Sequence, residues 1–207
     1  MAATAAARSL GKLKQQNVAL FVCDLQERFR PVITGFPAVV DTARRMIRGA
    51  TVLGLPVITT EQYPKALGNT VQELKDVLPP DSPVVAKTLF SMLTPDVKEL
   101  LKQKPAVSQV LLCGIETHVC VLQTTLDLIE SGYEVHILVD GVSSQRVHDR
   151  AIGLHRATQS GAFLVSSEMA LFQLMEDAKA DRFKEISKLV QEPRMDSLGM
   201  PGLTASL

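Results

Sequence analysis

Val110-Leu111-Leu112-Cys113-Gly114-Ile115-Glu116-Thr117-His118-Val119-Cys120 is the stretch that decides how this chain folds. Its first four residues form an apolar run that reads as a buried strand. Gly114 permits a tight turn, and Val121 to Ile129 reads as a helix. The segment is therefore a strand, a turn, and a helix that opens with a cysteine in its first turn. Backbone N–H groups at a helix start lack intrahelical partners and carry the positive end of the dipole, which favours a thiolate at Cys120. The same amides can hold a developing oxyanion. A nucleophile and its electrostatic partner thus share one stretch.

Working outward, Val18 to Cys23 is a strand ending at Asp24, and Pro37 to Leu53 carries apolar residues at helical spacing. Val57 to Thr60 is a strand. Val84 to Ala86 is another, ending at Lys87, and Asp96 to Lys102 is a helix. After the strand before Cys120 comes Val135 to Val139, ending at Asp140, then a helix from Asp149 to Ser160 and a strand from Phe163 to Val165. Ala170 to Ala178 and Phe183 to Val190 read as helices. Strand runs without polar alternation, separated by helices, imply an α/β domain: a six-stranded parallel sheet flanked by helices on both faces, a Rossmann-like three-layer sandwich. Residues 17–190 form this domain, 1–16 an N-terminal extension, and 191–207 an irregular tail with two prolines and two glycines. Asp24, Lys87 and the turn before Cys120 all fall at carboxyl ends of strands, where the ligand crevice of an open α/β sheet lies. Asp140 also ends a strand, so position alone does not make a catalyst.

A chain of 207 residues has ample length for one core. Lys+Arg and Asp+Glu are both 22, so net charge gives no argument for nucleic acid or an acidic membrane surface as partner, and neither is expected. No tract is long and apolar enough to span a bilayer. The three cysteines, each in or beside an apolar run, fit free thiols in a reducing compartment, so a cytoplasmic location is expected. Arg8, Lys12 and Lys14, with no acid among residues 1–16, make a mitochondrial leader the alternative to a frayed terminus, although a strand beginning at Val18 leaves little room for one. Blander fates stand beside the functional ones. Cys23 and Cys113 fit small buried hydrophobes. Asp24 could cap a helix begun at Leu25, and Lys87 could face solvent. His118 lies two residues from Cys120, and such neighbours on a helix face different directions. His136, His148 and His155 show no metal-ligand spacing. Phe29, Tyr63, Leu67, Phe90 and Thr117 follow or lie within the site motifs and are candidates to line a substrate pocket, or equally core.

Asp24-Leu25-Gln26-Glu27-Arg28-Phe29, Lys87-Thr88-Leu89-Phe90-Ser91 and Gly114 to Cys120 together resemble the isochorismatase-like cysteine hydrolases. Thr60-Glu61-Gln62-Tyr63-Pro64 looks more narrowly like the eukaryotic isochorismatase domain-containing proteins. Each motif alone is weak, but three in the right order at the ends of the right strands are strong. The resemblance covers about Val18 to Val190 and implies Asp24 as general base, Lys87 as orienting cation and Cys120 as nucleophile. It further implies a cis peptide between Ile115 and Glu116, an oxyanion hole from the backbone amides of Glu116 and Cys120, and a homo-oligomer. Metal-dependent nicotinamidases of this family carry an aspartate and histidines after the second strand. Thr59 to Asn69 has no histidine, which argues against nicotinamidase activity and against a bound zinc or iron, and no cofactor is expected. Isochorismatases proper act on a vinyl ether and often lack the cysteine, so Cys120 tilts the expectation toward acyl chemistry on a small amide or ester through a thioester. The alternative is a protein that keeps the fold with an idle site and acts mainly through protein partners. A pyridine-nucleotide oxidoreductase is weaker still, because Asp24-Leu25-Gln26 stands where G-x-G-x-x-G would follow the first strand.

Overall fold

A computed structural model describes residues 9–195. Six strands, β1 (Val18–Cys23), β2 (Val57–Gln62), β3 (Val84–Lys87), β4 (Gln109–Ile115), β5 (Glu134–Ser143) and β6 (Phe163–Val165), form one sheet in the order β3-β2-β1-β4-β5-β6. Every neighbouring pair is parallel. Eight helices join them: α1 (Phe36–Leu53), α2 (Pro64–Leu67), α3 (Gln72–Lys75), α4 (Pro95–Lys102), α5 (Leu122–Glu130), α6 (Val147–Gln159), α7 (Ser167–Met175) and α8 (Phe183–Gln191). The expected six-stranded parallel α/β sandwich is what the chain forms. Short α2 and α3 were not legible in the periodicity, since four residues give too little pattern.

Alternation along β1 builds the two apolar layers. Val18, Leu20 and Val22 face the cluster holding Phe36, Met46, Leu171 and Ile186 from α1, α7 and α8. Ala19, Phe21 and Cys23 face the other cluster, with Val97 of α4, Leu128 of α5 and Leu154 of α6. A strand buried on both faces has no polar side, which is why β1 reads as an unbroken apolar run. Ahead of it, Leu13 is buried in the α1-side cluster, the Lys14 amide donates to Gln109 Oε1 at 2.9 Å, and Gln109 Nε2 donates to the Lys12 carbonyl at 2.8 Å.

Several boundaries differ from the expectation. Strand β5 runs past Asp140 to Ser143, with a register shift against β4 between Leu112 and Gly114. Asp140 thus does not end the strand: its Oδ1 accepts from the Ser167 amide at 2.9 Å, which helps start α7 three residues earlier than the periodicity placed it. Asp24 caps no helix at Leu25; the next helical turn is a 3-10 turn at Glu27–Phe29. Among the described residues, no helix is long and apolar enough to cross a membrane.

The chain leaves β1 toward one edge through β2 and β3, and returns to β4 on the other side. The crevice beyond the carboxyl ends of β1 and β4 is therefore the topological switch point of the sheet.

Candidate active site

Asp24, the residue after β1, has a left-handed backbone, with φ of 54°. Aspartate tolerates this region better than most residues, and here it turns the carboxylate into the switch-point crevice. The side chain is held at both oxygens: Oδ1 accepts from Thr60 Oγ1 at 2.8 Å and Oδ2 from Lys87 Nζ at 2.7 Å. Parallel pairing of β2 with β3 sets Lys87 beside Gln62, so that its amine reaches across the end of β2 to Asp24. The Lys87 ammonium also lies within reach of Gln62 Oε1 at 2.7 Å, the Phe90 carbonyl at 2.9 Å and the Leu89 carbonyl at 3.1 Å. Burial pulls this lysine toward its neutral form, but the neighbouring Cys23, Asp24 and Cys120 side chains and the hydrogen bond to Asp24 outweigh that, and its pKa stands above the ordinary lysine value. The pair is inside the protein, with side-chain exposures of 0% for Lys87 and 1% for Asp24. Removing either partner of such a pair leaves an uncompensated buried charge and typically costs about 3–5 kcal/mol.

Two glutamines tie the strand ends together. Gln26 Oε1 accepts from the Gln62 amide at 2.7 Å, while its Nε2 donates to the Gln62 carbonyl at 2.9 Å and the Gly68 carbonyl at 2.6 Å. Gln62 Nε2 in turn donates to the Thr88 carbonyl at 2.9 Å. These bonds fix the ends of β2 and β3 around Lys87. Thr60, Gln26 and Gln62 were missed in the sequence, where a buried amide at a strand end looks like any polar loop residue.

Cys120 lies in a different local structure from the one expected. Thr117–Val121 is a single π-helical turn that leads into α5, so the cysteine precedes the α-helix proper. The Glu116 carbonyl accepts from both the Val119 and Val121 amides, at 3.0 and 3.1 Å, and the second of these is the wide π-type bond. Among the described residues, neither the Glu116 nor the Cys120 amide donates to a backbone carbonyl outside the regular elements. The Ile115–Glu116 peptide is cis, as the resemblance implied. Gly114 makes the approach possible: its φ is 121°, and a Cβ there would sit 2.0 Å from the Cys23 carbonyl oxygen. The turn is held from below by Thr124, whose hydroxyl donates to the Cys120 carbonyl at 2.6 Å and accepts from the Met92 amide at 2.8 Å. From the side, α6 packs so closely that a Cβ on Gly153 would be 2.9 Å from His118 Cα.

The two thiols at this point are neighbours. Cys23 Sγ lies 3.5 Å from Asp24 Oδ2, and its thiol is near enough to that of Cys120 to interact with it. Burial first, then the contact with Cys120 and the charge of Asp24, push the Cys23 thiol well above the ordinary range and keep it protonated. Cys120 keeps 7% of its surface exposed, whereas Cys23 is fully buried. Cys23, expected to be inert core, is thus part of the site. Cys113 keeps the structural role expected of it, on the opposite sheet face with Sγ 3.6 Å from the Phe21 carbonyl.

The pocket candidates divide. Tyr63 and Phe90 are about half exposed, at 52% and 51%, and their backbones bond to the Lys87 carbonyl and ammonium respectively, so they stand at the rim above the ion pair. Leu67 is half-buried in α2, beside the Gly68 carbonyl that Gln26 holds. Phe29 packs instead against the α1-side cluster, across the sheet from the cluster that contains Cys120. Thr117 is buried in the turn that carries Cys120, and its hydroxyl has no hydrogen-bond partner among the described residues. His118 points Nδ1 at Ser144 Oγ, 3.0 Å away. Among the described residues no cluster of three or more histidine, cysteine or acidic side chains could hold a metal ion.

Residues 18–169 match the family model described as the isochorismatase domain. The human protein named isochorismatase domain-containing protein 2 is 49% identical over 201 residues, covering 96% of this chain and 95% of its own. The Xenopus laevis protein of that name is 48% identical over 190 residues, covering 92% and 91%. A solved structure described as the MAR1 ribonuclease from Caenorhabditis elegans superposes with a TM-score of 0.88 at 44% identity, covering 92% of this chain and 98% of that one. The fold, the ordered motifs and these matches agree: this chain belongs to the isochorismatase-like hydrolase family.

Proposed function

We propose that the protein is a cysteine hydrolase of a small amide, ester or related acyl substrate, with Cys120 as nucleophile, Asp24 as proton acceptor and Lys87 as the cation that orients Asp24. The observation that carries this is the buried Lys87–Asp24 pair at 2.7 Å, set at the switch point within the electrostatic reach of Cys120. A buried, fully hydrogen-bonded ion pair is weak as a stabilising device, since apolar residues of similar size often serve a core as well. Its position beside a cysteine with residual exposure favours a chemical role.

In the proposed reaction Asp24 takes the thiol proton as Cys120 sulfur attacks the carbonyl carbon. The resulting oxyanion sits on the amides of Glu116 and Cys120. One such donor typically contributes about 3 kcal/mol in the transition state. Asp24 returns the proton to the departing amine or alcohol, leaving a thioester on Cys120. A water then attacks the thioester, gives its proton to Asp24, and releases the acid and the free thiol. The histidine-free segment from Thr59 to Asn69 supports chemistry without a metal. In it, Gln62 engages Lys87, and Glu61 Oε1 accepts from the Thr70 amide at 2.6 Å and hydroxyl at 2.8 Å.

The nematode relative's description raises RNA hydrolysis as a second reading. Acyl chemistry is favoured because Lys87, the cation at the site, is already directed at four protein acceptors rather than at a phosphate. The test is activity against a panel of small amides and esters, with an RNA substrate alongside, comparing wild type with Cys120→Ala. Acid release that disappears in the variant, with an acyl adduct on the Cys120 peptide in quenched wild-type reactions, is expected. RNA cleavage without acyl turnover, or acyl turnover that survives Cys120→Ala, would overturn the assignment.

A further inference from the structure

The proposed hydrolysis uses one of the two thiols in the site and gives Cys23 nothing to do. We infer that Cys23 and Cys120 form a peroxide-responsive disulfide pair, a modification site within the acyl-transfer centre. The inference rests on the hydrolase reading in one respect, that Cys120 is a reactive thiol.

Three observations select this pair among the three cysteines. Cys23 and Cys120 belong to the same apolar cluster and are near enough for their thiols to interact, whereas Cys113 lies in the cluster on the other face of the sheet. The strand that leads into the Cys120 turn runs beside Cys23: Gly114 pairs with Cys23 in the β1–β4 ladder and approaches so closely that no side chain fits between them. The exposures also differ in the required order. Cys120 has 7% of its surface open and Cys23 none, so a small oxidant meets Cys120 first while the second thiol waits behind it.

The chemistry balances without any group beyond the oxidant. The Cys120 thiolate attacks the near oxygen of a hydroperoxide and the O–O bond breaks. An alcohol, or water from hydrogen peroxide itself, leaves after taking up a proton, and Cys120 becomes the sulfenic acid. Cys23 sulfur then attacks Cys120 sulfur. Its proton passes to Asp24 Oδ2, 3.5 Å away, and on to the departing hydroxide, which leaves as water. The product is the Cys23–Cys120 disulfide, with the peroxide reduced by two electrons. The disulfide shelters Cys120 from irreversible oxidation to sulfinic acid, and it blocks the nucleophile until a thiol reductant restores both groups.

The reduced full-length protein is treated with hydrogen peroxide, free thiols are capped with iodoacetamide, and peptides are mapped without reductant. The expected main product joins the Cys23 and Cys120 peptides and disappears after dithiothreitol. In Cys23→Ser, peroxide should instead raise Cys120 sulfinic acid by about tenfold over wild type. Conversion of wild-type Cys120 to sulfinic acid without the linked peptide, or a link that uses Cys113, would sink the inference even if Cys23→Ser failed to fold. A Cys120 that alkylates readily but never links to Cys23 removes this inference and leaves the hydrolase reading standing. A Cys120 inert to both peroxide and iodoacetamide removes both.

Discussion

At the level of single residues, the site divides the three thiols by environment. Cys120 lies in a turn with residual exposure and a cation within electrostatic reach, while Cys23 and Cys113 are fully buried. In a short iodoacetamide pulse, Cys120 should label first and the other two only on unfolding. Asp24→Asn should slow Cys120 labelling by about tenfold or more, because the proposed proton acceptor is lost while the shape is nearly kept. Lys87→Ala should slow it too, and also destabilise the fold by about 3–5 kcal/mol through the Asp24 charge left behind. Peptide mass spectrometry reads the labelling. Equal labelling of all three cysteines, or an unchanged rate in Asp24→Asn, would favour an idle site. Asp24, Lys87 and Cys120 are legible in the sequence because each closes or follows an apolar run, so a polar group appears where the run predicts a strand end. Cys23 is not legible, since a cysteine ending an apolar run looks the same whether it meets core or another thiol. Thr60, Gln26 and Gln62 stay hidden for a related reason: their partners are 25 to 42 residues away, and only the strand order brings them together.

At the level of elements, the strands and the long helices follow from periodicity, but the turn that carries Cys120 does not. A π turn and an α turn present the same apolar pattern over five residues; what separates them is which amide reaches the Glu116 carbonyl, and the chain geometry around Gly114 decides that. Two glycines therefore control the position of Cys120. Gly114→Ala would drive a Cβ to 2.0 Å from a backbone oxygen at a φ of 121°, and neither strand end can yield without breaking the β1–β4 ladder. A stability loss of about 3 kcal/mol or more is expected. Gly153→Ala is the milder case, with its Cβ at 2.9 Å from the His118 backbone. Helix propensity favours alanine by about 1 kcal/mol, while overpacking costs about 1–3, so the net loss should be small. The clash bears on the Thr117–Val121 turn, however, so Cys120 labelling should change more than stability does. Urea midpoints together with the labelling rates check both variants. A Gly153→Ala protein with wild-type labelling would show that α6 does not support the turn.

At the level of the whole molecule, surface and interior make separate demands. Val147 and Ile152 on α6 are 45% and 64% exposed, Met169 and Phe172 on α7 are 49% and 39% exposed, and the formal net charge is zero. Exposed apolar groups with no net repulsion favour self-association, so a homo-oligomer is expected, and a monomer mass by light scattering at micromolar concentration would count against it. The interior sets the alkaline limit. Burial, with the Asp140 charge adding to it, pushes the Cys113 thiol up to about 12, and burial raises Cys23 in the same direction. In the unfolded chain a thiol ionises near 8.5. Between those values the unfolded state has released a proton that the native state retains, so stability falls as pH rises, by about 1.4 kcal/mol per pH unit for each such thiol. The raised Lys87 acts with the same sign at higher pH, beginning near the unfolded lysine value. Urea midpoints should therefore be flat with respect to these groups up to about pH 8 and decline above it. Cys113→Val puts a β-branched apolar side chain, well suited to a strand, in β4, removes one of the titrating thiols, and should make the decline shallower. A Cys113→Val midpoint that falls with the wild-type slope would mean that the thiol is not protected in the native state, against its position in the buried α1-side cluster.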